Sequence, residues 1–136
     1  GKKLVGVRGA RAAWLILQHA IGSPSLQRGC LPLLKEAAER GDIDPAQVAY
    51  LEDRICFFEK RPQRYGTQFG WDKEGKMSPW TLEDPEKVDE YRKSVGLGTL
   101  AERIEQMRRD TQDEPRPDME KLEIEAAEWA RRVGWV

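Results

Sequence analysis

Proline and glycine fall along this chain at intervals that suit helices and little else. Ser23-Pro24, Asp44-Pro45 and Asp84-Pro85 each put a capping side chain ahead of a first-turn proline, where a missing backbone N–H leaves no bond unmade. Gly22, Gly41, Gly96 and Gly134 fall where apolar stripes stop, as C-terminal stop residues do. Between these marks the stripes have helical spacing. Gly9 to Ala20 is apolar nearly all round, which predicts a centrally buried helix. Leu26, Cys30, Leu33, Leu34, Ala37 and Ala38 make the next stripe, with Pro32 inside it, so a kink or a split into two helices is expected there. Val48, Leu51, Ile55 and Phe58 follow, then Val88, Tyr91 and Val95. Thr99 with Glu102 fits a capping box ahead of Ile104 and Met107. Asp118 caps a last helix with Leu122, Ala126, Trp129 and Val133 facing inward.

Only Arg61 to Thr81 departs from this grammar. Tyr65, Thr67, Phe69 and Trp71 alternate, a polar turn follows at residues 72–76, and Met77 to Leu82 can return as a partner strand. The sequence therefore predicts an all-α domain spanning 1–136, with one small β-hairpin at about 65–82. The Pro-containing stretch 110–118 reads as a flexible polar loop before the last helix. A length of 136 residues suits one domain.

Composition narrows the partners. Lys and Arg number 23 against 24 Asp and Glu, a net charge of −1, so no bulk positive charge draws the chain to nucleic acid or a membrane surface. The longest apolar run, Ala12 to Leu17, has six residues, too short to span a bilayer. Two cysteines, Cys30 and Cys56, read as reduced thiols. With no charged-then-apolar segment at the start, they lead us to expect a cytoplasmic protein.

Few residues offer chemistry. His19 is the sole histidine and sits beside Gln18 at the C-terminal end of the most apolar helix, where partial negative charge favours the imidazolium. Its plainer reading is a core histidine that caps carbonyls. Asp53-Arg54 are adjacent on a helix and so point about 100° apart, one inward and one outward. A buried guanidinium there suits a carboxylate or phosphate ligand, or an ordinary interhelical ion pair. Tyr65-Gly66-Thr67-Gln68-Phe69 gathers a phenol, a glycine, a hydroxyl and an amide in one loop. Such a set can hydrogen-bond a polar ligand, or simply satisfy a tight turn. One histidine and two distant cysteines give no metal pattern, no phosphate-binding glycine loop is present, and no cofactor is implied. Cys56 reads as a small hydrophobe rather than a nucleophile.

Three segments together resemble an uncharacterised bacterial domain-of-unknown-function family. They are Ala13-Trp14-Leu15-Ile16 running into Gln18-His19-Ala20; Ala49-Tyr50-Leu51 with Asp53-Arg54; and Pro62-Gln63 followed by Tyr65-Gly66-Thr67-Gln68. Val88-Asp89 with Arg92, and Gly96-Leu97, are similar to that family's pattern too, so the resemblance covers about residues 4–100. It implies a helical bacterial domain and no named activity. It marks Gln18, His19, Asp53, Arg54, Tyr65, Thr67 and Gln68 as a polar signature, which a site explains more readily than a core does. Two departures stand out. The family often carries a glycine where this chain has Glu59-Lys60-Arg61. The helix ending in Gly134-Trp135 resembles a segment that precedes the Val5-Gly6 region in the family. The chain therefore reads as circularly permuted, or cut from a longer or repeated one, with Gly1 and Val136 adjacent or the last helix docked on another copy.

The resulting expectation is a small-molecule or peptide-modifying enzyme, or its accessory subunit, using non-covalent acid–base chemistry in a pocket between the first and third helices under the hairpin. His19 would be the general acid or base and Tyr65 a hydrogen-bond or proton donor. Gln18 and Gln68 would orient substrate with Thr67, Arg54 would hold an anionic group, and Asp53 would orient His19 or Arg54. The alternative is a non-catalytic binding module, such as a partner subunit, an immunity-type protein or a ligand sensor, in which Phe69, Trp71 and Trp80 form a contact patch for a protein partner or a second copy.

Overall fold

A computed structural model describes residues 23–114 and 118–135. The expected helix Gly9 to Ala20, with Gln18 and His19, lies outside the described residues, as does the distance between Gly1 and Val136. Within them the chain is mostly helical with a small β insertion. The order is α1 (Pro24–Glu39), α2 (Pro45–Phe58), β1 (Phe69–Trp71), β2 (Met77–Pro79), α3 (Val88–Ser94), α4 (Leu100–Thr111) and α5 (Met119–Val133).

The caps act as the sequence implies. Asp44 accepts from the Ala46 N–H with Pro45 behind it. Thr99 accepts from the Glu102 N–H and Asp118 from the Lys121 N–H. Each satisfies one donor that the helix start leaves open. At the far end of α2, the Lys60 N–H reaches the Phe57 carbonyl and the Arg61 N–H reaches the Cys56 carbonyl, the two bonds of a Schellman stop. That motif needs a left-handed residue, and here it is Lys60 at φ 59°. Glycine would take up that conformation without strain.

Four expectations are corrected. Pro32 neither splits nor ends α1, which runs unbroken through it. A proline removes only its own N–H from the ladder, and the buried Leu34 and Ala37 beyond it keep the next turns docked. Leu26 and Leu33 are not in the core stripe but 42% and 64% exposed. At 100° per residue the buried arc runs through Gln27, Leu34 and Ala37, leaving those two leucines on its flank. The hairpin, by contrast, falls within 65–82 as expected: residues 69–71 and 77–79 pair antiparallel, with Gly70 opposite Ser78, while the Tyr65 and Thr67 amides go to the Asp53 side chain instead of a strand. In α5, Leu122 is 42% exposed and Ala126 is also exposed, whereas Ala130 and Trp135 are buried, so only the C-terminal half of that helix packs. The Asp84-Pro85 signal is displaced as well. Asp84 closes a turn on the Glu86 N–H, and α3 begins at Val88.

The core forms where α1 packs on α2, and Ala130 and Trp135 from the end of the chain join it. Leu34, Ala37, Ile43, Val48, Leu51, Ile55, Ala130 and Trp135 make it up. The Trp135 ring stacks on Phe58 at 5.0 Å between centroids, and the Arg28 guanidinium covers its outer face at 4.9 Å. The hairpin lies against α4, held by Arg108 on the Met77 carbonyl and the Ser78 hydroxyl. Trp80 pins it to α2, meeting Phe57 edge-on at 5.3 Å and donating to the Arg61 carbonyl.

Candidate functional site

Asp53 projects from α2 with no exposed surface. A buried carboxylate is expensive unless every lone pair finds a donor, and this one finds four. One oxygen accepts from the Arg64 and Tyr65 amides at 3.0 and 3.2 Å. The other accepts from the Thr67 amide at 3.1 Å and the Thr67 hydroxyl at 2.9 Å. Burial pushes the Asp53 carboxyl above its ordinary value, and the bonds from Tyr65, Thr67 and Arg64 pull it part of the way back. All four partners are donors, so the loop is built round the carboxylate form.

A cation holds the same loop from the other side. Arg92 of α3 is 3% exposed and donates from Nη1 to the Tyr65 and Gly66 carbonyls at 3.0 and 3.3 Å, and from Nε to the Gly98 carbonyl at 2.7 Å. Asp53 takes the N–H groups and Arg92 the C=O groups of the same few peptides. The two charges are satisfied through the loop rather than by pairing with each other. Gly66, at φ 65°, lies between them; a Cβ there would stand 3.0 Å from Leu100 Cδ1 and 3.4 Å from Leu82 and Val88. Only glycine meets both conditions.

Two more side chains complete the brace. Gln63, fully buried, donates from Nε2 to the Gln68 and Trp80 carbonyls and accepts the Gln68 amide on Oε1. Asp89 accepts the Leu100 amide at 2.8 Å, fixing the start of α4 against α3. The loop 63–68 is thus held by side chains from three sides, the arrangement that a preorganised site needs from its supporting shell.

Of the expected site residues, Gln18 and His19 lie outside the described residues. The structure brings Asp53, Tyr65, Thr67 and Gln68 together, but unequally. Asp53 and the Thr67 hydroxyl hold the loop, and Gln68 adds a bond from its amide nitrogen to that hydroxyl. Tyr65 differs, because its phenol bonds the Arg64 side chain and takes none of the bonds from Asp53, Gln63, Thr67 or Arg92 that fix the loop. The ring lies edge-on to Tyr91 at 6.4 Å. Burial and the Glu52 carboxylate push the phenol up, with Arg64 acting against them. Glu52 in turn is paired to Lys35 of α1 at 3.0 Å, so a phenol that stays protonated stands beside a carboxylate and two cations. Arg54 does not join this group. Glu52 and Arg54 are two apart on α2 and project to nearly opposite sides. Burial lowers the Arg54 guanidinium's pKa, and no acceptor among the described residues bonds it.

Gln63, Glu52 and Arg92 are functional to this arrangement yet were not read as site residues. Gln63 and Arg92 stand in segments that resemble the family, and that is the signal that could have found them. Glu52 carries none. Among the described residues no three His, Cys, Asp or Glu side chains converge as metal ligands would, and Cys30 and Cys56 are free thiols. Burial raises the Cys56 thiol. No helix among the described residues is long and apolar enough to cross a membrane.

Fold and site together define a class: a small, mostly helical domain that carries one loop clamped between a buried anion and a buried cation. The chain belongs to a family of unknown function, DUF6624, whose match runs over residues 1–112 and takes in every brace of that loop. No curated protein and no solved structure matches it.

Proposed function

We propose that the clamped loop presents Tyr65 to a small-molecule or peptide ligand, and that Tyr65 with His19 performs non-covalent acid–base chemistry on it. The observation that carries this reading is the division of labour in the loop. Asp53, Gln63, Thr67 and Arg92 hold it with buried charges and amides, while the Tyr65 phenol is left out of the holding bonds and set beside Glu52 and Arg64. A tight turn needs far less to persist. Positioning one hydroxyl to a fraction of an ångström does need it. In this reading Asp53 and Thr67 are positioning residues, Gln18 and Gln68 orient the ligand, and Arg54 holds an anionic group of it. No cofactor enters the scheme. Free thiols and balanced charge favour a cytoplasmic setting away from nucleic acid.

The test is a thermal-shift screen of small polar metabolites and short peptides against the parent chain and Tyr65→Phe. Ligands that stabilise the parent and lose that effect in Tyr65→Phe support the reading, whereas hits that bind both alike, with no hit lost, count against it. A second reading, a binding module without catalysis, is favoured by one observation. Phe57, Phe58, Trp80 and Trp129 line an apolar groove of about 360 Å³ between α2 and α5, where an apolar side chain of a partner would fit. Hits lost on Trp129→Ala and kept in Tyr65→Phe would select it.

A further inference from the structure

Arg92 holds the loop with only part of its guanidinium. Nε and Nη1 make three bonds to carbonyls, and Nη2 meets no acceptor among the described residues. A guanidinium has five N–H donors, so two remain, on the edge of an otherwise buried side chain that solvent still reaches. They border a cavity of about 260 Å³ between α2, α3 and α4, lined by Tyr50, Arg92, Gly98, Glu102, Arg103 and Gln106 among others. Arg103 lies close enough for its charge to act unfavourably on Arg92. Its own bond runs to the neutral Gln106 amide oxygen at 3.0 Å, not to a carboxylate. Glu102 is the acidic side chain in the lining, and its Oε2 lies over Gly98 without forming an ion pair to either arginine. Arg92 and Arg103 thus face one small cavity, with Asp89 and Asp53 acting favourably on Arg92 but no carboxylate bonded to either guanidinium, so their remaining donors are open to an anion.

We propose that this cavity binds the oxyanion group of a small molecule, a phosphate or carboxylate, between Arg92 Nη2 and Arg103, with the Tyr50 hydroxyl as a further donor. The volume exceeds that of the charged group several-fold, so part of the rest of the ligand fits there too and the remainder extends outward along α4. The site is separate from the Tyr65 phenol, and its failure leaves the acid–base reading standing. Because Arg92 also holds the Tyr65 and Gly66 carbonyls, an anion bound there tightens the same guanidinium that fixes the loop.

The experiment is an NMR titration of the chain with inorganic phosphate at constant ionic strength, with sodium chloride as the control and acetate as a second arm. The Arg Nε–H signals and the Gly98 amide are followed. Saturable shifts at Arg92, Arg103 and Gly98 with phosphate or acetate, and not with chloride, are expected. Arg103→Gln leaves the fold intact, since its one bond is to Gln106, and should weaken binding about tenfold, the loss of a charge-assisted hydrogen bond. Glu102→Gln should tighten it several-fold by removing a competing carboxylate. Equal affinity in Arg103→Gln and the parent, or shifts that never saturate with either anion, would overturn the proposal.

Discussion

Removing the Asp53 carboxylate should cost far more than an average surface change. Asp53→Ala deletes four accepted bonds and leaves the Arg64, Tyr65 and Thr67 amides facing a dry void. Each stranded donor costs about 1 kcal/mol or more, and Arg92 loses the anion that balances it across the loop. The sum is about 3–5 kcal/mol, the range found when one partner of a buried charge arrangement is removed. Against a total stability of about 5–15 kcal/mol, that is enough to lower Tm by roughly 10–20 °C in a domain of this size. Asp53→Asn should fall nearly as far, because its NH₂ group must face donors. Thr67→Val removes one bond at nearly constant shape and should cost about 1–2 kcal/mol. Urea unfolding followed by tryptophan fluorescence gives the totals, and amide exchange at residues 64, 65 and 67 localises them. A loss below about 1 kcal/mol in Asp53→Ala, with those amides still protected, would refute the claim that the carboxylate holds the loop.

Other outcomes follow from the same geometry. Tyr65→Phe should change stability by no more than about 0.5 kcal/mol, since its hydroxyl takes no part in the holding bonds; a large loss in urea unfolding would return it to a structural role. Lys60→Gly should raise stability by about 0.5–1 kcal/mol by placing glycine at the left-handed end of α2, and a lower Tm would contradict the stop assigned there. Gly66→Ala should destabilise by about 1–3 kcal/mol, through both its φ and its contact with Leu100. Burial raises the Glu59 carboxyl, but Arg61 and Arg28 outweigh it and hold it below its ordinary value. Its contribution is therefore present above the ordinary carboxylate value and lost as pH falls through the depressed one. Glu59→Gln should flatten the decline of Tm on acidification, and an unchanged slope would exclude that contribution.

The helices were legible because their signals are local. Asp44-Pro45, Thr99 and Asp118 announce helix starts through bonds to residues two or three positions away, and those are the caps that form. The hairpin turn was legible for the same reason. What sequence did not show is where faces go. Leu26 and Leu33 look as apolar as Leu34, and only the docking of α1 on α2 decides which of them is covered. Nor did alternation at Tyr65 and Thr67 reveal a clamped loop rather than a strand, because Asp53 reaches those amides from 12 and 14 positions away. Asp53, Tyr65, Thr67 and Gln68 were legible as a polar set, but not its division into braces and the remaining phenol. Asp53 and Arg92 are each satisfied by backbone that neither neighbours in sequence, and spacing carries no record of that.

The account turns on whether Tyr65 and His19 share one site. The chain has a single histidine, so its imidazole C–H resonances need no assignment. Their pH titration in the parent and in Glu52→Gln measures the proximity directly, since Glu52 is the carboxylate that acts on the Tyr65 phenol. If His19 stands at that phenol, removing the charge lowers its pKa by about half a unit or more. An imidazole that titrates identically in both proteins would place His19 elsewhere and contradict the acid–base pairing.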